Sequence, residues 1–158
     1  MLPKEIFEKL KSDCSDQVIE FNDSQPTDPF ILINSKDLFE ICHYLRDEES
    51  LQLDYLMCLS GMDYVENLGV VYHLYSMKFG HKIVLKVIVP KENPKVPSVE
   101  RLWRTADWHE REAYDLIGVQ FEGHHNLIRI LCPYDWEGHP LQKDYTAPET
   151  YHGMKVSY

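Results

Sequence analysis

The apolar positions of the chain follow two rhythms, one near 3.6 residues and one of two, and the switches between them predict its elements. Pro3 to Lys11 places Ile6, Phe7 and Leu10 on one face and reads as a short helix. Gln17–Phe21 and Phe30–Ile33 read as strands around the breaker-rich stretch Asn22–Pro29. Leu38, Ile41, Cys42 and Leu45 recur at i, i+3, i+4 and i+7, which predicts a second helix, capped by Ser35 and ended by the polar run Arg46–Ser50. Leu53–Asp63, Val70–Phe79 and Lys82–Val89 predict three more strands, with Gly69 and Gly80 at the bends of antiparallel hairpins. Ile83–Val89 is apolar except for Lys86, the pattern of a strand buried on both faces. The proline-rich stretch Pro90–Pro97 interrupts regular structure. A third helix follows over Asp107–Ile117, opened by a capping-box-like Asp107/Glu110 pair and closed by Gly118.

Strands come in blocks rather than alternating with helices. The order α-β-β-α-β-β-β therefore predicts an α+β fold, a two-layer sandwich with a mixed β-sheet, followed by a helix and an extended C-terminal segment. The expected organisation is one α+β domain over residues 1–118 and a C-terminal segment over 119–158 that packs on the domain and on partners. In that segment periodicity fades, apart from a short apolar strand expected at Leu127–Leu131. It holds Pro133, Pro140, Pro148, Trp136, four histidines and four tyrosines. A long irregular, aromatic-rich segment persists by wrapping a domain or by lying on a partner, and this points to assembly.

Composition narrows the function. The 158 residues carry 16 Lys+Arg against 26 Asp+Glu, a formal net charge of −10. No apolar run nears the roughly 18 residues of a membrane helix. The acidic balance opposes binding to a phosphate backbone. The start MLPKEIFEKLKSD resembles neither a secretory signal nor an Arg-rich transit peptide. Cys14, Cys42, Cys58 and Cys132 form no CxxC pair, so no zinc knuckle or local iron–sulfur set is written here. They read as buried free thiols in a reducing compartment.

Three sets of residues invite a catalytic reading. His109-Glu110 on the third helix lacks the second histidine of a zinc hydrolase, since position 113 is alanine. Glu112 and Asp115, three apart, form either a carboxylate pair with a raised pKa or an ion-paired helix face beside Arg111. His124, His125 and His139 with Cys132 match no closed metal module by spacing. No GxSxG, P-loop or GxGxxG occurs. A stand-alone metal-dependent hydrolase built on Glu110, Glu112, Asp115, His124 and His139 stays the alternative from a different class.

Two ordered stretches are more specific. One runs Glu110-Arg111-Glu112-Ala113-Tyr114-Asp115-Leu116-Ile117-Gly118-Val119-Gln120-Phe121. The other runs from Asn126 through Arg129, Pro133, Asp135, Trp136, Gly138, His139, Pro140, Leu141, Lys143 and Asp144 to Tyr145. Together they closely resemble the C subunit of the proton-pumping NADH:quinone oxidoreductase, respiratory complex I. The chain departs from that pattern at His125, where proline is common, and at Ile128 and Gln142, where arginine is frequent. The resemblance implies a non-catalytic structural subunit of the hydrophilic arm, with no catalytic, cofactor-binding or metal residues of its own. Flavin and iron–sulfur clusters are then expected in partner subunits. It would pack against the quinone-site D subunit, near the cluster-bearing B and I subunits, on the cytoplasmic side of the bacterial inner membrane. Arg111, Glu112 and Asp115, the Asp135–Tyr145 stretch, Trp136, Arg129, Lys143 and Asp144 would supply the contacts, or would pack internally. An equivalent subunit of a membrane-bound hydrogenase or another quinone-linked dehydrogenase is the nearer alternative.

Overall fold

The computed structural model describes residues 1–14, 18–24 and 28–156. Helix α1 (Pro3–Asp13) has proline at its first position, where no helical N–H is needed, and buries Ile6 and Leu10. Strands β1 (Val18–Asn22), β2 (Phe30–Ile33), β3 (Tyr55–Asp63), β4 (Asn67–Tyr75) and β5 (Lys82–Pro90) form one sheet in the order β1-β2-β5-β4-β3. The β2/β5 pair is parallel and the other neighbours are antiparallel, so the sheet is mixed, as the block order predicts.

The core lies on one face of this sheet. Leu68, Val70, Tyr72 and Leu74 alternate inward on β4, opposite Val89, Val87, Leu85 and Ile83 on β5. Helix α2 (Leu38–Asp47) buries the stripe Leu38, Ile41, Cys42 and Leu45 against them. Helix α3 (Ala106–Ile117) lies over β3, where Gly61 leaves room: a Cβ there would meet Ile117 and Ala113 at 3.0–3.2 Å. The core continues past residue 118 through Val119 and Phe121.

Several local expectations change. Gln17 and residues 25–27 of the breaker stretch lie outside the described residues. Ser35 does not cap α2. It opens a short 3₁₀ turn, Ser35–Asp37, and its hydroxyl donates to the Lys95 carbonyl at 2.9 Å. Gly69 sits inside β4, paired with Met62, rather than at a bend, and the side chain of Tyr64 fills the space its Cβ would take, at 2.7 Å. The hairpin bend falls instead at Tyr64–Glu66. Strand β5 is not covered on both sides, since Ile88 on the outer face is 42% exposed. The proline stretch is not wholly irregular: β6 (Lys95–Pro97) pairs in parallel with β7 (Gln120–Glu122), and a small hairpin joins β8 (Thr150–Tyr151) to β9 (Met154–Lys155). Leu127–Leu131 forms no strand: the Ile128 N–H turns back to the Asn126 carbonyl, and those of Ile130 and Leu131 are taken up by a carboxylate described below. All four cysteines are free, but only Cys42 is fully buried.

Gly118 does close α3. Its φ of +92° lies in the left-handed region, and its N–H donates to the carbonyls of Ala113 and Tyr114. A Cβ here would also stand 2.7 Å from the His139 ring. Gly118→Ala is therefore expected to lower stability by about 1–3 kcal/mol in urea unfolding. An unchanged midpoint would show that this helix end can relax.

Candidate functional site

The C-terminal segment has little regular structure of its own, so side chains from α3 and the sheet must satisfy its backbone. Asp115 is the principal anchor. It is fully buried, and its Oδ2 accepts three successive backbone N–H groups, from Ile130 (3.0 Å), Leu131 (2.7 Å) and Cys132 (2.9 Å). Arg129 donates to Oδ1 at 2.7 Å and to the Asp115 carbonyl at 3.1 Å, and its other arm reaches the Gly138 carbonyl at 2.8 Å. Burial pushes the Asp115 carboxyl upward, but the backbone donors and Arg129 outweigh it and hold its pKa at about 2. A single carboxylate thus replaces a strand partner for Ile130–Cys132.

The same segment caps the end of α3. The last carbonyls of a helix have no partner within it. Here His139 Nδ1 donates to the Asp115 carbonyl at 2.9 Å, Leu141 N–H to Leu116 at 2.9 Å, and Gln142 Nε2 to Ile117 at 2.7 Å. Gln142 therefore does capping work. Gly138, at φ +78°, lets the chain pass against the Tyr145 ring. Tyr145 also accepts the Trp136 indole N–H at 2.9 Å, and Trp136 packs on Tyr151. Asp135 accepts from Tyr151 and is paired with His152.

A third tether reaches the sheet. Asp63, at the end of β3, accepts the Lys143 backbone N–H at 2.8 Å. Lys91 bridges Asp63 (3.6 Å) and Asp144 (2.6 Å). The Lys143 side chain makes no ion pair among the described residues. Pro133 and Leu141 are exposed and Pro140 half-buried. Arg111 stacks on Trp108, 4.6 Å from the ring centroid, and donates to the Ile128 carbonyl. Glu112 is exposed.

Glu110 neither caps α3 nor faces solvent. The helix starts at Ala106 without a side-chain cap, and Glu110 is fully buried. Its Oε2 accepts from the Ser98 hydroxyl at 2.6 Å and its Oε1 from the Val99 N–H at 2.7 Å. Burial pushes its pKa up to about 8, assisted by the charges of Glu100 and Asp107. The raised carboxyl on α3 is therefore Glu110, and not a Glu112/Asp115 pair. Asp63, Ser98, Tyr151 and His152 escape sequence reasoning, because each acts across a long sequence separation and none carries a local motif.

The hydrolase set does not converge as a whole: of its five residues only Glu110 and His124 approach, Glu110 Oε2 lying 4.0 Å from His124 Nε2. Glu110 faces Ser98, Asp115 faces Arg129, Glu112 is exposed, and His139 lies against the end of α3, away from His124. Cys132 sits beside Asp115. A different group does gather, with one ligand-type atom each from Glu100, Asp107, His124 and His125 within 4.8 Å. His124 Nδ1, however, accepts the Asn126 backbone N–H at 3.0 Å, which places the ring proton on Nε2. That Nε2–H faces the Asp107 carbonyl (3.2 Å), Asp107 Oδ1 (3.4 Å) and Glu100 Oε2 (3.6 Å). His125 Nδ1 also pairs with Glu100. The group thus sets the His124 and His125 rings against the Glu100 and Asp107 carboxylates.

No helix among the described residues is long and apolar enough to cross a membrane. The chain is 47% identical over 152 residues to the C subunit of NADH-quinone oxidoreductase from Chloroherpeton thalassium, covering 94% of this chain and 63% of that one. It is 46% identical to the subunit of the same name from Chlorobium phaeobacteroides, covering 96% and 93%. Among solved structures, a trypsin-resistant fragment of Nqo5 matches with a TM-score of 0.65 at 28% identity, over 78% of this chain and 98% of that one. A chain of a membrane-bound sulfane sulfur reductase, an archaeal respiratory membrane complex, shares the fold with a TM-score of 0.74 at 18% identity, over 90% and 85%. The pattern of the 30 kDa subunit of the respiratory-chain NADH dehydrogenase matches residues 31–151, which takes in most of the sheet, α3 and the tethered C-terminal segment, and the chain belongs to that family.

Proposed function

We propose that this chain is a structural subunit of the hydrophilic arm of a proton-translocating NADH:quinone oxidoreductase. It supports electron transfer from NADH to quinone by holding its neighbours in register, and it has no active site of its own. The observation that carries this reading is the tethered C-terminal segment. Asp115, Arg129, Gly138, His139 and Gln142 are spent on fixing its path, which leaves an ordered surface rather than an open reaction site. Its partners are the quinone-site D subunit and the cluster-bearing B and I subunits, which with their neighbours carry the flavin and iron–sulfur clusters. Attachment to the cytoplasmic face of a bacterial inner membrane runs through those subunits.

A tagged copy expressed in the native host, purified from gently solubilised membranes, is expected to bring down the quinone-site and cluster-bearing subunits and NADH-oxidising activity. Recovery of the tagged chain without respiratory partners would overturn the reading. Recovery with hydrogenase-type partners and no NADH-oxidising subunit would reassign the electron donor.

A further inference from the structure

The loop after β7 closes on one imidazole. The His124 side chain is fully buried, and its Nδ1 accepts the Asn126 backbone N–H at 3.0 Å. A backbone N–H can only donate, so the single lone pair of the neutral ring is spent on that bond. On the far side of the ring, one Nε2–H faces four oxygens. They are the Asp107 carbonyl (3.2 Å), Asp107 Oδ1 (3.4 Å), Glu100 Oε2 (3.6 Å) and Glu110 Oε2 (4.0 Å). Asp107 Oδ1 is buried and, among the described residues, has no hydrogen-bond partner.

Two demands oppose each other at this ring. The carboxylates of Glu100 and Asp107 favour a second proton, because their attraction is weakly screened away from water. That proton has one place to go, Nδ1, where it would meet the Asn126 N–H as donor against donor. Three cationic groups also oppose it. His125 stacks on His124 with ring centroids 5.3 Å apart and pairs with Glu100, and Arg101 and Arg104 line one cavity with Glu100, Asp107 and His125. Glu110 stays uncharged below neutrality, since burial raises its carboxyl to about 8.

We propose that His124 is a pH-sensitive latch on the start of the C-terminal segment. Neutral, it holds residues 124–126 in a closed turn. On taking a proton from solvent at Nδ1, it releases the Asn126 N–H and the turn opens. The ring itself stays in place, because its Nε2–H still faces Asp107 and Glu100. Ile128 moves with the turn, since its N–H donates to the Asn126 carbonyl. Opening stops at residues 130–132, where Asp115 keeps its charge down to about pH 2. The latch needs no partner subunit, so it stands apart from the reading of the chain as part of an oxidoreductase.

Amide hydrogen exchange and histidine nitrogen NMR on the purified full chain test this between about pH 7.5 and 5.5, where an imidazole changes charge. Protection of the Asn126 amide is expected to fall at least about tenfold as the His124 Nδ1 signal moves from acceptor to protonated. The Leu131 and Cys132 amides should keep their protection. In His124→Asn the side-chain oxygen can accept the same N–H and cannot take a proton, so Asn126 should stay protected throughout. His125→Asn should leave the step in place. Constant protection of Asn126 in the wild type would overturn the latch. So would a step that His125→Asn abolishes or that His124→Asn retains. Should His124→Asn fail to fold, the wild-type signals decide. Nδ1 protonation without loss of Asn126 protection, or that loss without Nδ1 protonation, overturns the latch equally.

Discussion

Asp115→Asn is expected to cost the folded chain about 3–5 kcal/mol, because it breaks a buried pair and leaves Arg129 facing an uncharged amide. The carboxylate accepts three backbone N–H groups and Arg129 at once. An amide offers one oxygen, and its NH₂ group would face a donor on whichever side it turned. The loss should not stay local. Residues 130–132 would lose their anchor, Arg129 its orientation toward Gly138, and the cap on α3 the loop that supplies it. Urea unfolding of the wild type and the variant measures the difference. A loss under about 1 kcal/mol would show that water substitutes for the carboxylate.

The same group has a pH signature. Its folded pKa of about 2 lies below the ordinary 3.8, so it contributes stability above pH 3.8 that is lost as the pH falls through 2. The wild type should therefore lose about 2 kcal/mol across that window that the asparagine variant does not.

Glu110→Gln is expected to do the opposite and stabilise the chain in alkali. Its carboxyl is raised from 4.5 to about 8 in the fold, so the folded state holds a proton that the unfolded state has released. The neutral carboxyl's stability is fully present below pH 4.5 and is lost progressively as the pH rises through 8. Glutamine remains neutral, accepts the Val99 N–H through its oxygen and presents its NH₂ to the Ser98 hydroxyl. The variant should match the wild type near pH 4.5 and exceed it by about 3 kcal/mol or more at pH 8. Chemical unfolding at a series of pH values reads the gap directly. A gap that does not grow between pH 4.5 and 8 would mean that Glu110 is ionised in the fold and balanced by its neighbours.

These two carboxylates, five residues apart on one helix, behave in opposite ways for one reason. Burial raises both, and the number of donors decides which escapes. Asp115 meets three N–H groups and a guanidinium. Glu110 meets one N–H and one hydroxyl, with Glu100 and Asp107 nearby adding like charge. Position in the sequence carries no sign of this, because the donors come from residues 129–132 in one case and 98–99 in the other.

Local periodicity is enough to read the three helices, the five strands of the main sheet, the apolar stripe of α2 and the glycine stop at Gly118. Each is set by contacts within a few residues or by one residue's backbone preference. The two ordered motifs are likewise enough to read the family. The role of each motif residue is not legible, since a charged residue at an interface and one buried against its own helix share the same letter. Tertiary packing separates them, placing Asp115, Arg129 and Gln142 inside as anchors and leaving Leu131 and Tyr134 outside. It also unmakes the Leu127–Leu131 strand, because a carboxylate fifteen to seventeen residues earlier takes the N–H groups of residues 130–132 that a neighbouring strand would need. Hydrogen bonds of that reach depend on where the chain returns in space, and residue order alone does not encode that at short range.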